Sequence, residues 1–193
     1  SCQSEVIKPE SECFQLATGT HLPRLNSGQK NLWLSYVSSS ETGSDTLMLT
    51  IANVPTVDIK VDLAHGDNWF VNWADFPSVA YVNQGPHGAN LFYHFLQYSA
   101  EGTYDYDIMY RINDGSGDYN NHKKLHQDTV SAEHGFLSSA PLPKGDLQVS
   151  WLDGRYTKVQ EGGAAGAKEG EAQGDDHGHG GGAMTLRTKA LSD

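Results

Sequence analysis

Short runs of strand length, some alternating and some almost wholly apolar, recur along the chain. Val57–Leu63, VDIKVDL, alternates strictly, with Val57, Ile59, Val61 and Leu63 on one face and Asp58, Lys60 and Asp62 on the other. That pattern predicts a strand solvated on one side. Thr46–Ala52, TLMLTIA, sets threonines among apolar residues and also predicts a strand. Asn90–Leu96, NLFYHFL, is apolar and aromatic nearly throughout, and degenerate copies begin at position 31 (NLWLSYV) and position 146 (DLQVSWL). Each copy follows a short strand-like run, namely Leu22–Leu25, Pro77–Val82 or Gly135–Ser139. Each precedes another apolar strand, namely Thr46–Ala52, Tyr106–Ile112 or Ala183–Ala190.

A period of roughly 50–60 residues built from short strands is the mark of a β-propeller blade. One four-stranded sheet has two apolar faces and cannot cover both alone, so neighbouring sheets stack face to face. The fold class expected is therefore all-β, a β-propeller with about three blades, at about residues 21–64, 77–126 and 135–193. The predicted inner strands are His21–Asn26, Pro77–Val82 and Gly135–Ser139. Asn90–Tyr98, Tyr104–Ile112 and about Asn121–His126 complete the second blade. Ser1–Thr20 is polar and reads as a tether or lead-in. Residues 153–182 interrupt the third blade with a low-complexity insertion that has no apolar cluster to offset its ordering entropy, so a mobile surface loop is expected. Three blades cannot close a ring of the usual size. The remainder is expected from the same polypeptide or from another chain.

Composition narrows the function. The chain has 193 residues and a formal net charge of −11. With no Lys/Arg cluster, it lacks the basic face that phosphate neutralisation needs, which excludes nucleic acid as a partner. No run reaches the ~18 apolar residues of a membrane span. Two cysteines, Cys2 and Cys13, leave a mutual disulfide, a buried thiol and unpaired thiols all open. Cys2, followed by Gln3–Ser4–Glu5, resembles the lipidated first residue of a mature bacterial lipoprotein. That implies an extracytoplasmic place, at the outer membrane, cell surface or periplasm, with membrane contact only through the anchor. An ordinary thiol is the other reading.

The stretch Arg111–Tyr119, RINDGSGDY, resembles the Asp-box turn of sialidase-type propellers. Asp114 and Tyr119 match that motif, while Ile112, Ser116 and Asp118 depart from it. WFVNWADFPSV, LHQDTVSAEHGF and VSWLDGR, in that order and spacing, look like bacterial sialidase-like repeat proteins. The resemblance covers about residues 20–191 and implies the N-terminal half of a six-bladed propeller. Sialidases carry an arginine on the first inner strand that grips the substrate carboxylate. His21 stands at that position, and simple alternation sends Arg24 to the other face of the strand. The arginine motif is thus not intact.

By the repeat alignment, three connections converge at one end: His65–Asp75, His126–His134 and Asp153–Arg155. Asp75, Asp128 and Glu133 are candidate carboxyl groups for acid/base cleavage of a glycosidic bond. Trp69 and Trp73 are candidates to stack on a sugar, with His65, His134 and Arg155 as further ligand contacts. Packing between blades is the alternative for the tryptophans, and a salt bridge to Asp153 is the alternative for Arg155. His126, Asp128 and His134 also suit a divalent metal such as zinc, iron or manganese. Asp175–His179, DDHGH, is a second metal candidate. Three functions are expected in order. The first is a secreted or surface-anchored glycan-binding or glycoside-processing protein, a hydrolase if catalytic. The second is a non-catalytic surface lipoprotein that acts as a scaffold for an envelope protein partner. The third is a metal-binding propeller.

Overall fold

The computed structural model describes residues 16–28, 32–51, 60–85, 88–113, 121–158 and 182–192. The Cys2 and Cys13 readings, the Asp114–Tyr119 part of the Asp-box, Asp175–His179 and most of the lead-in and of the insertion lie outside the described residues.

Among the described residues, eleven strands form three antiparallel sheets. The first pairs β1 (Thr20–Ser27), β2 (Leu32–Ser39), β3 (Asp45–Ile51) and β4 (Lys60–Gly66) in chain order. The second pairs β5 (Ser78–Gly85), β6 (Gly88–Tyr98), β7 (Tyr106–Asn113) and the two-residue β8 (Lys123–Lys124), again in order. The third pairs β9 (His134–Pro141), β10 (Leu147–Asp153) and β11 (Thr185–Leu191). The described helical structure is one 3₁₀ turn, Pro143–Gly145. No helix among the described residues is long and apolar enough to cross a membrane.

The near-continuous apolar character of β6 has a direct cause. Alternate side chains of a strand point to opposite faces, and both faces of the middle sheet are covered. Leu91, Tyr93 and Phe95 join a core with Leu47, Leu49 and Leu63 of the first sheet. Phe92 and Leu96 join a core with Leu147, Val149 and Trp151 of the third. Each such buried side chain contributes about 1.5–3 kcal/mol. The first strands of the three sheets are neighbours, β1 touching β5 and β5 touching β9, and β7 also touches β9.

The first strand of each sheet is bulged. In β1 the register passes from His21↔Val37 to Arg24↔Ser35, so Leu22 and Pro23 together face Tyr36. In β9 it passes from Gly135↔Leu152 to Ser138↔Ser150, so Phe136 and Leu137 face Trp151. In β5 the extra residue is Val82. Leu22 and Phe136 take the left-handed backbone conformation, with φ of 55° and 53°. That conformation is normally left to glycine, as at the first position of one common bulge type. Finding it twice at equivalent positions makes β1–β2 and β9–β10 structural repeats of one another. The bulge also breaks the alternation count in β1. Arg24 therefore comes to line the same hollow as Asp75, a placement that counting along the strand did not give.

Candidate functional site

Two polar clusters lie where the second and third sheets meet. Neighbouring residues on one strand supply both. Tyr106 and Glu133, joined by a parallel bridge, serve one cluster, and Asp107 and His134 serve the other.

The first cluster starts from the turn Asn72–Asp75. The Asn72 side chain accepts the N–H groups of Ala74 (2.8 Å) and Asp75 (2.7 Å), a local turn typical of asparagine. The turn throws Trp73 outward, 86% exposed, and drives Asp75 inward, 3% exposed. Asp75 Oδ2 accepts the N–H of the left-handed Phe136 at 2.9 Å and the hydroxyl of Tyr106 at 3.1 Å. The Tyr106 hydroxyl is also 3.0 Å from Glu133 Oε1. One phenolic proton cannot satisfy two carboxylates at once. Burial, opposed by the bonds from Phe136 and Tyr106, pushes the Asp75 carboxyl up to about 6, with the Glu133 charge adding to the rise. Burial and the same two carboxylates raise the Tyr106 hydroxyl well above its ordinary range, so it stays a phenol.

Asp75 borders a hollow of about 160 Å³ lined by Arg24, Ala74, Phe76, Phe136 and Leu137. The Arg24 guanidinium sits 4.9 Å from the centre of the Phe76 ring, a cation–π contact. Complete burial, helped by the Arg24 charge, lowers nearby His94 to about 3 and keeps it neutral.

A pH dependence follows from Asp75. Its folded pKa is raised, so the folded state holds more protons than the unfolded one between about pH 4 and pH 6. Stability is expected to fall by roughly 2–3 kcal/mol from this group as pH rises through that window. Urea unfolding at stepped pH should show the fall in the wild type and its absence in Asp75→Asn.

The second cluster gathers three carboxylates, two histidines and three cations. Asp153 is wholly buried at the end of β10. Its oxygens receive Arg155 Nε at 2.7 Å and Nη2 at 2.5 Å in a two-pronged pair, the Arg155 N–H at 3.2 Å and the Trp151 indole at 3.2 Å. Arg187 Nε lies 3.2 Å away. Burial would raise the Asp153 carboxyl, but Arg155 overrides it and holds the group at about 2. Arg155 Nη2 also lies 2.8 Å from Asp128, which His126 Nδ1 approaches to 2.7 Å. Lys124 Nζ pairs with Asp107 Oδ2 at 3.1 Å. The His126 and His134 rings stack at 3.6 Å, 8° from parallel.

These contacts sort the residues singled out in the sequence. Asp75 and Glu133 meet through Tyr106, and His126, Asp128, His134 and Arg155 meet in the second cluster. Asp128 does not suit an acid role. Burial would raise its carboxyl, but His126 and the other neighbours hold it below the ordinary range. Trp69 is no sugar platform, because it is buried and stacks on Phe95 at 4.5 Å. His65 is exposed on β4, opposite Thr46 and away from both clusters. Arg155 takes the salt-bridge alternative. Sequence reasoning sent Arg24 to the wrong face and missed Tyr106, Asp107, Lys124 and Arg187. Asp107 alone left a trace, as a carboxylate on the same strand face as the apolar Met109.

The geometry thus defines an all-β protein of three stacked sheets, with a raised carboxyl at a hollow and a charge-balanced histidine centre behind it. Comparisons with protein-family models, curated proteins and solved structures returned no match.

Proposed function

We propose that the three sheets are successive blades of a sialidase-like β-propeller and that the chain binds and processes glycans at the Asp75 hollow. The blade reading is supported by the in-order sheets, the contacts among their first strands and the matching bulges of β1 and β9. The observation that carries the functional reading is Asp75. It is a carboxyl raised to about 6, beside a hollow that also holds a guanidinium, with exposed Trp73 and Phe136 nearby in the chain and on the wall. A general acid is most effective with a pKa near the working pH. Arg24 offers a contact for an anionic substituent, and Trp73 offers a flat face for a sugar ring. Burial keeps the proton on Asp75, and the neighbouring Glu133 adds to that.

The test is a glycan-array screen followed by turnover of the sugars that bind. Asp75→Asn is expected to lower kcat by about 10²–10⁴ with binding retained. Trp73→Ala is expected to weaken binding by about 5–30-fold, the usual range for losing one aromatic anchor. If no sugar binds, or if both variants behave as wild type, the reading fails. Asp75 would then be a strut between sheets, and the scaffold role with an envelope partner would take its place. An extracytoplasmic location anchored through Cys2 belongs to either reading and is checked by the mass of the protein from its native source.

A further inference from the structure

We propose that Tyr106 is a proton relay, passing protons between Asp75 at the hollow and half-buried Glu133 behind it. This rests on the reading of Asp75 as a general acid and adds the route by which that acid is recharged. An acid that gives its proton to a leaving oxygen ends the step as a carboxylate and must recover a proton before the next turnover. Asp75 is 3% exposed, and the hollow it borders is the space a substrate would fill. A route that avoids the hollow lets Asp75 recover while product is still bound.

The Tyr106 hydroxyl lies 3.1 Å from Asp75 Oδ2 and 3.0 Å from Glu133 Oε1. Three oxygens in a row can hold two protons with both hydrogen bonds made, in either of two directions. With the extra proton on Asp75, the Asp75 O–H donates to the phenol oxygen and the phenol donates to Glu133. With it on Glu133, both bonds reverse. Recharging moves one proton from Glu133 to the Tyr106 oxygen as the phenol proton passes to Asp75, and Glu133 then takes up another from water. No phenolate forms, which suits a hydroxyl that burial and both carboxylates hold well above its ordinary range. Tyr106 is 0% exposed and stacks on Phe70 at 4.2 Å, so it is fixed in place and touches no substrate; its role is that of a positioning residue. A parallel bridge aligns it with Glu133, whose carbonyl accepts the Gly154 N–H at 2.8 Å. Gly135 leaves the room for the link, since a methyl there would stand 1.9 Å from Asp75 Oδ2 and 3.0 Å from the Tyr106 hydroxyl. Asp75 also faces the Phe136 N–H and, across the hollow, Arg24, and neither a backbone amide nor a guanidinium gives up its proton in this way. The second cluster is closed on itself. His134 Nδ1 donates to Ala132 O at 3.0 Å, His126 lies between Asp107 at 3.0 Å and Asp128 at 2.7 Å, and Arg155 holds Asp128 and Asp153. A metal at His126, Asp128 and His134 would have to displace those contacts.

The test is exchange of the Tyr106 hydroxyl proton with solvent, which needs no sugar. In mixed H₂O and D₂O, the ¹³C-labelled ring carbon that bears the hydroxyl gives two NMR lines when exchange is slow and one when it is fast. Tyr106, assigned by its absence in Tyr106→Phe, is expected to give one line despite its burial. Glu133→Gln is expected to slow the exchange at least about tenfold, the effect of losing one charge-assisted bond. Asp75→Asn is expected to leave the exchange fast. Two lines in the wild type overturn the proposal, and so does a wild-type rate in Glu133→Gln. Slowing in Asp75→Asn alone overturns it as well, since protons would then enter through the hollow. The wild-type spectrum can sink the relay even if a variant does not fold. A failure of every sugar to bind would end the glycan reading without changing these lines, so the two failures are told apart.

Discussion

Asp153→Ala is expected to destabilise the protein by about 3–5 kcal/mol, the usual cost of removing one partner from a buried ion pair. The carboxylate is wholly buried and gathers Arg155, Arg187 and the Trp151 indole at one point. Its loss leaves the buried Trp151 indole N–H without its acceptor and the partly exposed Arg155 guanidinium with Asp128 alone. Urea unfolding at neutral pH measures the effect. A pH series gives a second reading. The folded pKa of Asp153 is depressed to about 2, so its contribution is fully present above the unfolded value near 4. It is lost as pH falls from about 4 to about 2, and amounts to roughly 2 kcal/mol over that interval. The alanine variant should lack this acid-labile part. A loss below about 1 kcal/mol would mean that the pairing energy only matches the cost of desolvation.

Gly135→Ala is the second large effect, expected at about 2–4 kcal/mol from overpacking and lost hydrogen bonds together. A methyl group there would sit 1.9 Å from Asp75 Oδ2 and 2.9 Å from the Tyr106 ring. Neither neighbour can yield easily. Asp75 is tied to Phe136 and Tyr106, and Tyr106 stacks on Phe70 at 4.2 Å. The requirement for glycine at this position is steric, since its backbone is ordinary β9 strand. Truncating the obstructed side chain should therefore rescue the variant. Gly135→Ala/Asp75→Ala is expected to be more stable than Gly135→Ala alone, as seen in denaturation midpoints. No rescue would mean that Tyr106, not Asp75, meets the new methyl.

Much of the sheet structure was legible because strand burial leaves a periodic trace. VDIKVDL gave the outer strand of the first sheet, which the structure places at Lys60–Gly66. The doubly apolar NLFYHFL gave the middle sheet covered on both faces. Asn121–His126 shrank to the two residues of β8 because its polar residues give a ladder little to bury. The sites were less legible, because they depend on where alternation fails. One bulge turns Arg24 toward Asp75, and another aims the Phe136 N–H at the same carboxylate. No residue type marks either bulge, since Leu22 and Phe136 occupy backbone that glycine would signal. His126, Asp128 and His134 were read together from their nearness in sequence, whereas Asp107 and Arg187 arrive from distant strands.

The pairing order also bears on how the chain assembles. Every hydrogen-bonded strand pair joins consecutive strands, so the first two sheets can zip from local contacts without closing a long loop. The exception is β10 with β11, which residues 154–184 separate. Closing a link four times longer costs about 1 kcal/mol more, enough to make β11 a late arrival. Arg187 travels with β11, while Arg155 lies two residues from Asp153 and needs no long-range closure. The buried carboxylate is thus neutralised from its own side of the loop first, and is never left alone while the last strand docks.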